Sequence, residues 1–295
     1  MNRKKRDVLI VFLLYVVSIA VSIFVFILTK AFSTNQRLLL ADLAAMVFIY
    51  TCSLLLRNAS LYDPFWSVIP PVFLIIAFVS LNKTLNLTNF LLLFSISLWA
   101  LRLTINWIKG WDGFTEVDWR YVMIRDKAPK LYFLTSFLAI QLFPTLIVFV
   151  QLLVGLRIIE LGASLNVGFA IGFTMIIGAT IIQYISDEQM RTFKIETKGK
   201  KKCIDTGLWK YSRHPNYFGE ILVWWGLYLL YFSIVQHIDL YILAPLAMTF
   251  LFIFISIPMM EKKILGTRPE YTVYQKKVSM IIPFPRFTKK DTILD

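Results

Sequence analysis

Apolar runs, most of them long enough to cross a bilayer, alternate along this chain with short polar segments rich in Lys and Arg. The runs lie near residues 8–29, 38–56, 66–81, 88–108, 131–153, 165–186, 217–236 and 240–258. A hydrocarbon core about 30 Å thick needs about 20 helical residues, which most of these runs supply. The pattern predicts an all-α fold, a polytopic transmembrane helical bundle of about 7–8 spans. The third run is the shortest and carries Pro70 and Pro71, so a broken or tilted span is expected there.

Periodicity says little in spans that are apolar all round, so the polar exceptions carry the signal. Asp42 and Arg102 are the clearest charges within spans; such opposite charges either pair with each other or mark function. Gly168 and Gly172, four apart in GFAIG, read as a close-packing site between helices. Between the second and third spans runs LYDPFWSVIPP. Asp63 before Pro64 is a turn signal. An acid between Tyr62 and Trp66 at a membrane edge also has the chemistry to protonate or polarise a substrate oxygen.

Charge adds orientation. Of the 31 Lys and Arg residues, all but Lys30, Arg37, Lys83, Arg157 and the intraspan Arg102 fall on the side of the N-terminus, if the runs are successive spans. Positive charge concentrates on the cytoplasmic face, so both termini are expected there. The net charge of +13 then belongs to one membrane face. It suits topology, anionic lipid or an anionic cofactor, and not nucleic acid, because the basic segments are short and interleaved with spans. A mean hydropathy of +0.67 fits an integral membrane protein. NRKKR precedes about 20 apolar residues with no small-residue cleavage site, which predicts a retained span. The sequons at Asn82 and Asn86 read as chance occurrences. Two Cys and two His leave no disulfide framework and no metal site to build. No G-x-G, Walker-type loop or G-x-S-x-G elbow occurs, so any nucleotide must bind among membrane helices and their loops.

The densest chemistry is GLWKYSRHPNYFGE at 207–220, following a loop with Lys194, Lys198, Lys200, Lys201 and Lys202. Pro215 suits the first turn of a helix. Asn216 and Glu220 then share a face one turn apart, behind Lys210, Arg213 and His214. A helix N-terminus with cations before it and a carboxylate one turn in can seat a phosphorylated cofactor. It is also what a capped helix with a basic anchor looks like. Asp187, Arg191 and Lys194 form one face of the preceding helix. They are either a solvated ion-pair stripe or partners of Arg213, Asn216 and Glu220 around a ligand, carboxylates holding ribose or amide and cations holding phosphate. Residues 110–130, with Trp111, Trp119 and Tyr121 among alternating charges, read as an interfacial anchor or as a lid or cofactor wall.

SDEQMRTFK (186–194), GLWKYSRHPNYFGE (207–220), VWWG (223–226) and YTVYQKKVSMIIPF (271–284) together resemble the steroid 5-alpha-reductase C-terminal superfamily, especially its DUF1295 branch. DPFWS (63–67), LWALRL (98–103), GW (110–111) and DWRY (118–121) extend the resemblance into the first half. Isoprenylcysteine carboxyl methyltransferases, which bind S-adenosylmethionine, carry a similar RHP-x-Y-x-G stretch.

The resemblance implies a membrane reductase that uses NADPH to reduce a C=C bond conjugated to a carbonyl. It implies cofactor contacts at Asn216, Glu220, Asp187, Lys194 and Tyr274, and a substrate-polarising acid at Asp63. The tyrosine that assists this acid in the steroid reductases is matched here by Trp99, whose indole is only a weak donor. That departure argues against steroids specifically, and Tyr62 is the substitute considered. The expected catalytic residues are thus Asp63 and Tyr62. The expected cofactor-binding residues are Asp187, Arg191, Lys194, Arg213, His214, Asn216, Glu220 and Tyr274. The chain reads as a single membrane domain over 1–295, without repeats or soluble module, with the cofactor-binding half at about 165–285. A lipid-like small molecule is the expected substrate, membrane lipids the surroundings, and a bacterial inner membrane or endoplasmic reticulum the location. The alternative is an S-adenosylmethionine-dependent lipid or prenyl-thiol methyltransferase.

Overall fold

In a chain this apolar, backbone N–H and C=O groups have to be bonded within their own segments, and helices achieve that. The computed structural model describes residues 2–198, 200 and 202–286; Lys201 of the lysine-rich loop lies outside the described residues. Among the described residues the structure is helical, with no strand beyond one isolated parallel bridge between Ser212 and Ser279. Eight helical stretches are long and apolar enough to cross a membrane: Arg3–Leu28, Thr34–Leu55, Ala59–Ser80, Leu87–Gly110, Pro129–Leu161, Val167–Glu196, Pro215–Val235 and Leu240–Thr267. This is the architecture of an integral, multi-pass membrane protein. The chain divides into two compact units, Met1–Asn166 and Val167–Asp295.

The first unit holds α1 (Arg3–Leu28), α2 (Thr34–Leu55), α3 (Phe65–Ser80), α4 (Leu87–Gly110), α5 (Trp119–Lys127), α6 (Tyr132–Thr135) and α7 (Phe143–Leu161). α1 lies along α2, and α3 packs on both α4 and α7. A capping box between Ser33 and Gln36 starts α2. The Asn86 carboxamide accepts the Asn89 N–H at 2.8 Å and starts α4, a structural use for one of the two sequon asparagines. Pro70 and Pro71 sit inside α3, which stays continuous as an α-helix. Ahead of it, Asn58 donates to the carbonyls of Phe114 and Glu116 at 3.0 and 2.8 Å. The Ser60 hydroxyl accepts the Asp118 N–H at 2.9 Å. These bonds strap the 111–118 loop to the Ala59–Tyr62 turn and set α5 beside Asp63.

The second unit holds α8 (Val167–Glu196), α9 (Pro215–Val235), α10 (Leu243–Phe250), α11 (Ile257–Thr267) and α12 (Tyr271–Lys277). α8 and α9 touch backbone to backbone. A Cβ on Gly172 would meet the Leu230 backbone N at 2.9 Å, and one on Gly226 would meet the Gly172 carbonyl at 3.1 Å. Small residues admit this approach in a setting where packing must replace the hydrophobic drive. At 30 residues, α8 is about 45 Å long, so its last turns extend past a core of about 30 Å. The apolar run ends near residue 186, and the helix continues past it through Asp187, Arg191 and Lys194 to Glu196.

Two π turns have one cause. Ser136–Leu142 and Leu251–Ser256 end immediately before Phe143–Pro144 and Ile257–Pro258. The N–H groups of Phe143 and Ile257 reach back five residues, to Leu138 and Phe252. Proline lacks a donor and its ring crowds the carbonyl four residues back, so the turn ahead of it widens.

Candidate functional site

Tyr62 and Asp63 are adjacent in sequence, yet they serve different surroundings. Tyr62 is buried, its hydroxyl shares a 2.8 Å hydrogen bond with Thr145, and its ring stacks on Phe65 at 5.2 Å. That phenol is engaged in the interior of the first unit. Asp63 follows the turn, and its carboxylate accepts a hydrogen bond from the Tyr121 hydroxyl. The Trp107 indole is a further donor, and Arg120 Nη2 lies 3.8 Å from Asp63 Oδ1. Arg120 in turn grips Asp118 through two bonds of 2.8 and 3.1 Å.

Tyr121 is buried, with 7 % of its surface exposed. Burial first, and the Asp63 charge next, hold its phenol well above the usual tyrosine range, so it stays a donor at neutral pH. The side chains of Asp63 and Arg120 keep 17 % and 38 % of their surface exposed, so the cluster reaches the outside. In the sequence Tyr121 figures only as an aromatic of the 110–130 segment, and Arg120 only within the DWRY motif; neither was expected at the site. The signal was the dipeptide itself, a cation and a phenol adjacent in DWRY, which reads equally well as an interfacial anchor. Asp42, a function candidate in the same unit, is buried, leaves Oδ1 without a hydrogen bond and makes no ion pair among the described residues.

In the second unit Pro215 opens α9 in its first turn. Arg213 and His214 turn toward the C-terminal segment. Arg213 Nε donates to Glu261 at 2.7 Å, and Nη1 donates to the carbonyls of Gln275 and Val278 at 2.8 and 2.9 Å. His214 Nε2 lies 3.0 Å from the same Glu261 oxygen; a carboxylate accepts only, so Nε2 carries the proton. Tyr271 donates to that oxygen at 3.1 Å and Gln275 to the other at 2.7 Å. Tyr274 donates to the Trp209 carbonyl at 2.5 Å. Burial raises the phenols of Tyr271 and Tyr274 above their ordinary range, which keeps both as donors. Arg213, His214 and Tyr274 therefore work as a clasp between the start of α9 and the tail.

Asn216 and Glu220 share the face of α9 that meets α8. Gln183 Nε2 donates to Glu220 at 2.5 Å and lies 3.5 Å from the Asn216 carbonyl, while Trp224 Nε1 donates to Glu220 at 3.1 Å. Gln183, a polar exception in the sixth span, was not among the residues expected at the site. Its Oε1 is buried without a hydrogen-bond partner, beside a buried carboxylate. Asp187 follows one turn along α8 and is half-buried. Arg191 is exposed and bonded to Glu188, and Lys194 is exposed. The structure thus brings Gln183, Asp187, Asn216 and Glu220 to the α8–α9 seam and leaves Arg191 and Lys194 at the surface beyond it. An open groove of about 530 Å³ runs along the end of α8 from Tyr184 to Glu196 and is bounded by Thr206.

The model of DUF1295, a family of proteins of unknown function, matches residues 48–278. The chain is 27 % identical to an uncharacterized protein of Schizosaccharomyces pombe, over 77 % of this chain and 73 % of that one. No solved structure matches. The chain belongs to the DUF1295 family.

Proposed function

We propose that this DUF1295 protein is a membrane reductase that uses NADPH to reduce a C=C bond conjugated to a carbonyl in a lipid-like molecule. The observation that carries the reading is the Asp63–Tyr121–Arg120 cluster. Reduction of an enone needs a fixed donor at the oxygen where charge develops. Methyl transfer from a sulfonium needs positioning and little acid chemistry. The resemblance of HPNYFGE and its neighbours to the steroid reductases supports the same choice, and the lysines after α8 suit a cytoplasmic, phosphate-bearing cofactor.

The residues at the α8–α9 seam fit such a group. An orphaned Gln183 oxygen next to Glu220 can accept from amide or ribose hydroxyl donors, and Asp187 and Asn216 add polar contacts. Lys194, Lys198, Lys200 and Lys202 are the cations for phosphate. Arg213, His214 and Tyr274 serve by fixing the start of α9. When bound, the cofactor supplies the hydride, and the protein's part is to bind, orient and polarise.

Titration of the detergent-purified chain with NADPH and with S-adenosylmethionine tests the reading. Saturable NADPH binding, together with NADPH oxidation on adding an aliphatic enone, is the expected result. Tight S-adenosylmethionine binding with no NADPH binding overturns it in favour of a methyltransferase.

A further inference from the structure

The groove along the end of α8 has no task in the reductase reading. It follows one stripe of the helix, Tyr184, Ile185, Glu188, Gln189, Thr192 and Glu196. At about 100° per residue that stripe lies on the opposite side of α8 from Gln183 and Asp187, so the groove is separate from the α8–α9 seam. Its other wall is fixed in place. The Gln189 carboxamide accepts the Leu208 N–H at 2.9 Å, and Trp209 Nε1 donates to the Ser186 carbonyl at 3.1 Å. Gly207, at φ +57°, lies so close to Gln189 that there is no room for a Cβ between them. Thr206 is thereby held alongside the helix.

Two carboxylates, Glu188 and Glu196, line this groove with the hydroxyls of Thr192 and Thr206. Among the described residues the lining contains no Lys or Arg, on a chain whose net charge is +13. A ligand that fits brings a cation with N–H donors, because carboxylates and hydroxyls accept them. Arg191 stands at the rim, three residues past Glu188, and both its bonds go to one Glu188 oxygen. A guanidinium there suits a phosphate. Depth then selects the ligand class. The apolar run of α8 ends near residue 186, where Tyr184 and Ile185 are 53 % and 40 % exposed. Glu188 and Arg191 stand about 3 and 8 Å past that point, within a headgroup layer about 5–8 Å thick. An ammonium and a phosphate side by side at that depth, above an apolar body, make a phospholipid.

We propose that the groove seats the headgroup of a membrane phospholipid with a primary ammonium, which bonds to Glu188 while its phosphate meets Arg191. The site goes beyond the reductase reading and does not rest on it. A trimethylammonium headgroup has no N–H to give to Glu188 or Thr192. A headgroup without a cation sets its negative charge against Glu188, and Glu196 farther out repels it as well. The ethanolamine type meets both requirements.

Native mass spectrometry of the full-length chain, delipidated in detergent, reads the binding lipid by lipid. Dioleoyl phosphatidylethanolamine is expected to bind as one saturable equivalent, about tenfold more tightly than phosphatidylcholine or phosphatidylglycerol with the same chains, the size of one charged hydrogen bond. Glu188→Gln should bring it down to the level of phosphatidylcholine. Thr192→Trp, which fills the groove and leaves Glu188 and Arg191 in place, should do the same, with the melting temperature of both variants held. Glu188→Lys should turn the preference toward phosphatidylglycerol. A wild type that binds the three lipids alike overturns the proposal. So does a Glu188→Gln or Thr192→Trp variant that keeps the preference. Glu188-dependent binding of an oligolysine peptide, with no preference among lipids, also overturns it and makes the groove a protein-docking site. NADPH binding is measured separately, so failure of the cofactor reading and failure of this lipid site give different results.

Discussion

Asp63 in the first unit and Glu261 in the second are both largely buried carboxylates met by an arginine and a tyrosine hydroxyl, and they differ in what is left over. Glu261 accepts from Arg213, His214, Tyr271 and Gln275 at 2.7 to 3.1 Å. Those donors come from the α9 start and α12, so one carboxylate gathers the tail onto the second unit. Asp63 receives Tyr121 and Trp107, while its arginine stands off at 3.8 Å and is committed to Asp118. A carboxylate has about four lone-pair sites. Filling them fixes a fold; leaving room among them leaves capacity for a ligand. Sequence motifs put Arg213 and His214 on the ligand side of that line, and geometry puts them on the structural side.

The largest effect expected follows from the filled site. Glu261→Ala leaves Arg213, whose side chain is 12 % exposed, without its counter-charge. Breaking a buried pair from one side costs about 3–5 kcal/mol. Thermal unfolding in detergent should show a large drop in melting temperature, with the tail newly open to protease. A melting temperature close to wild type would remove the distinction between the two carboxylates.

Glu220 lies between the two cases, and the prediction for it is smaller. Gln183 and Trp224 both donate to it, and a glutamine in its place presents one oxygen and one NH₂, so one donor meets a donor. Glu220→Gln should cost about 1–3 kcal/mol of stability. Where Glu220 also holds a cofactor, NADPH affinity should fall about tenfold on the same variant. Lowered stability with an unchanged NADPH dissociation constant rejects the binding role and moves Glu220 to the side of Glu261.

How much of this was legible in the sequence depends on distance along the chain. All eight apolar runs became helices, and Pro215 became a first-turn proline, because both are local properties. Of the broken or tilted span expected at Pro70 and Pro71, the break did not occur, since a helix held among others tolerates the lost donors. What the sequence did not reveal is non-local. Glu261 lies 47 and 48 residues from His214 and Arg213, and Tyr121 lies 58 from Asp63. No spacing rule joins such residues. Glu261 carried no signal of its own in the sequence, and Tyr121 was one aromatic of a segment that read as an anchor or a lid. Gln183 was the avoidable miss, for a lone carboxamide in an apolar span asks for a partner.

The smallest expected change belongs to Asp63, and it sharpens the comparison most. Its carboxylate is 17 % exposed, held by fewer donors than Glu261, and faces the like charge of Asp118. Burying a charge is costly unless its partners compensate fully. Asn in its place fits the same space, still accepts from Tyr121 through its oxygen, and relieves the repulsion from Asp118. Arg120 keeps its two bonds to Asp118. Asp63→Asn should therefore move stability by no more than about 1 kcal/mol in either direction, less than Glu220→Gln, because the relieved repulsion offsets what the amide loses as an acceptor. A site residue is commonly kept at some expense to stability, so a slight gain is the more telling result. Enone-dependent NADPH oxidation should nevertheless fall about a hundredfold, because an amide, unlike a carboxyl group, has no acidic proton to give as charge develops on the substrate oxygen. Stability held while turnover falls places Asp63 in the chemistry. Stability falling by as much as in the Glu261 variant, with turnover per folded molecule unchanged, would make Asp63 a second clasp.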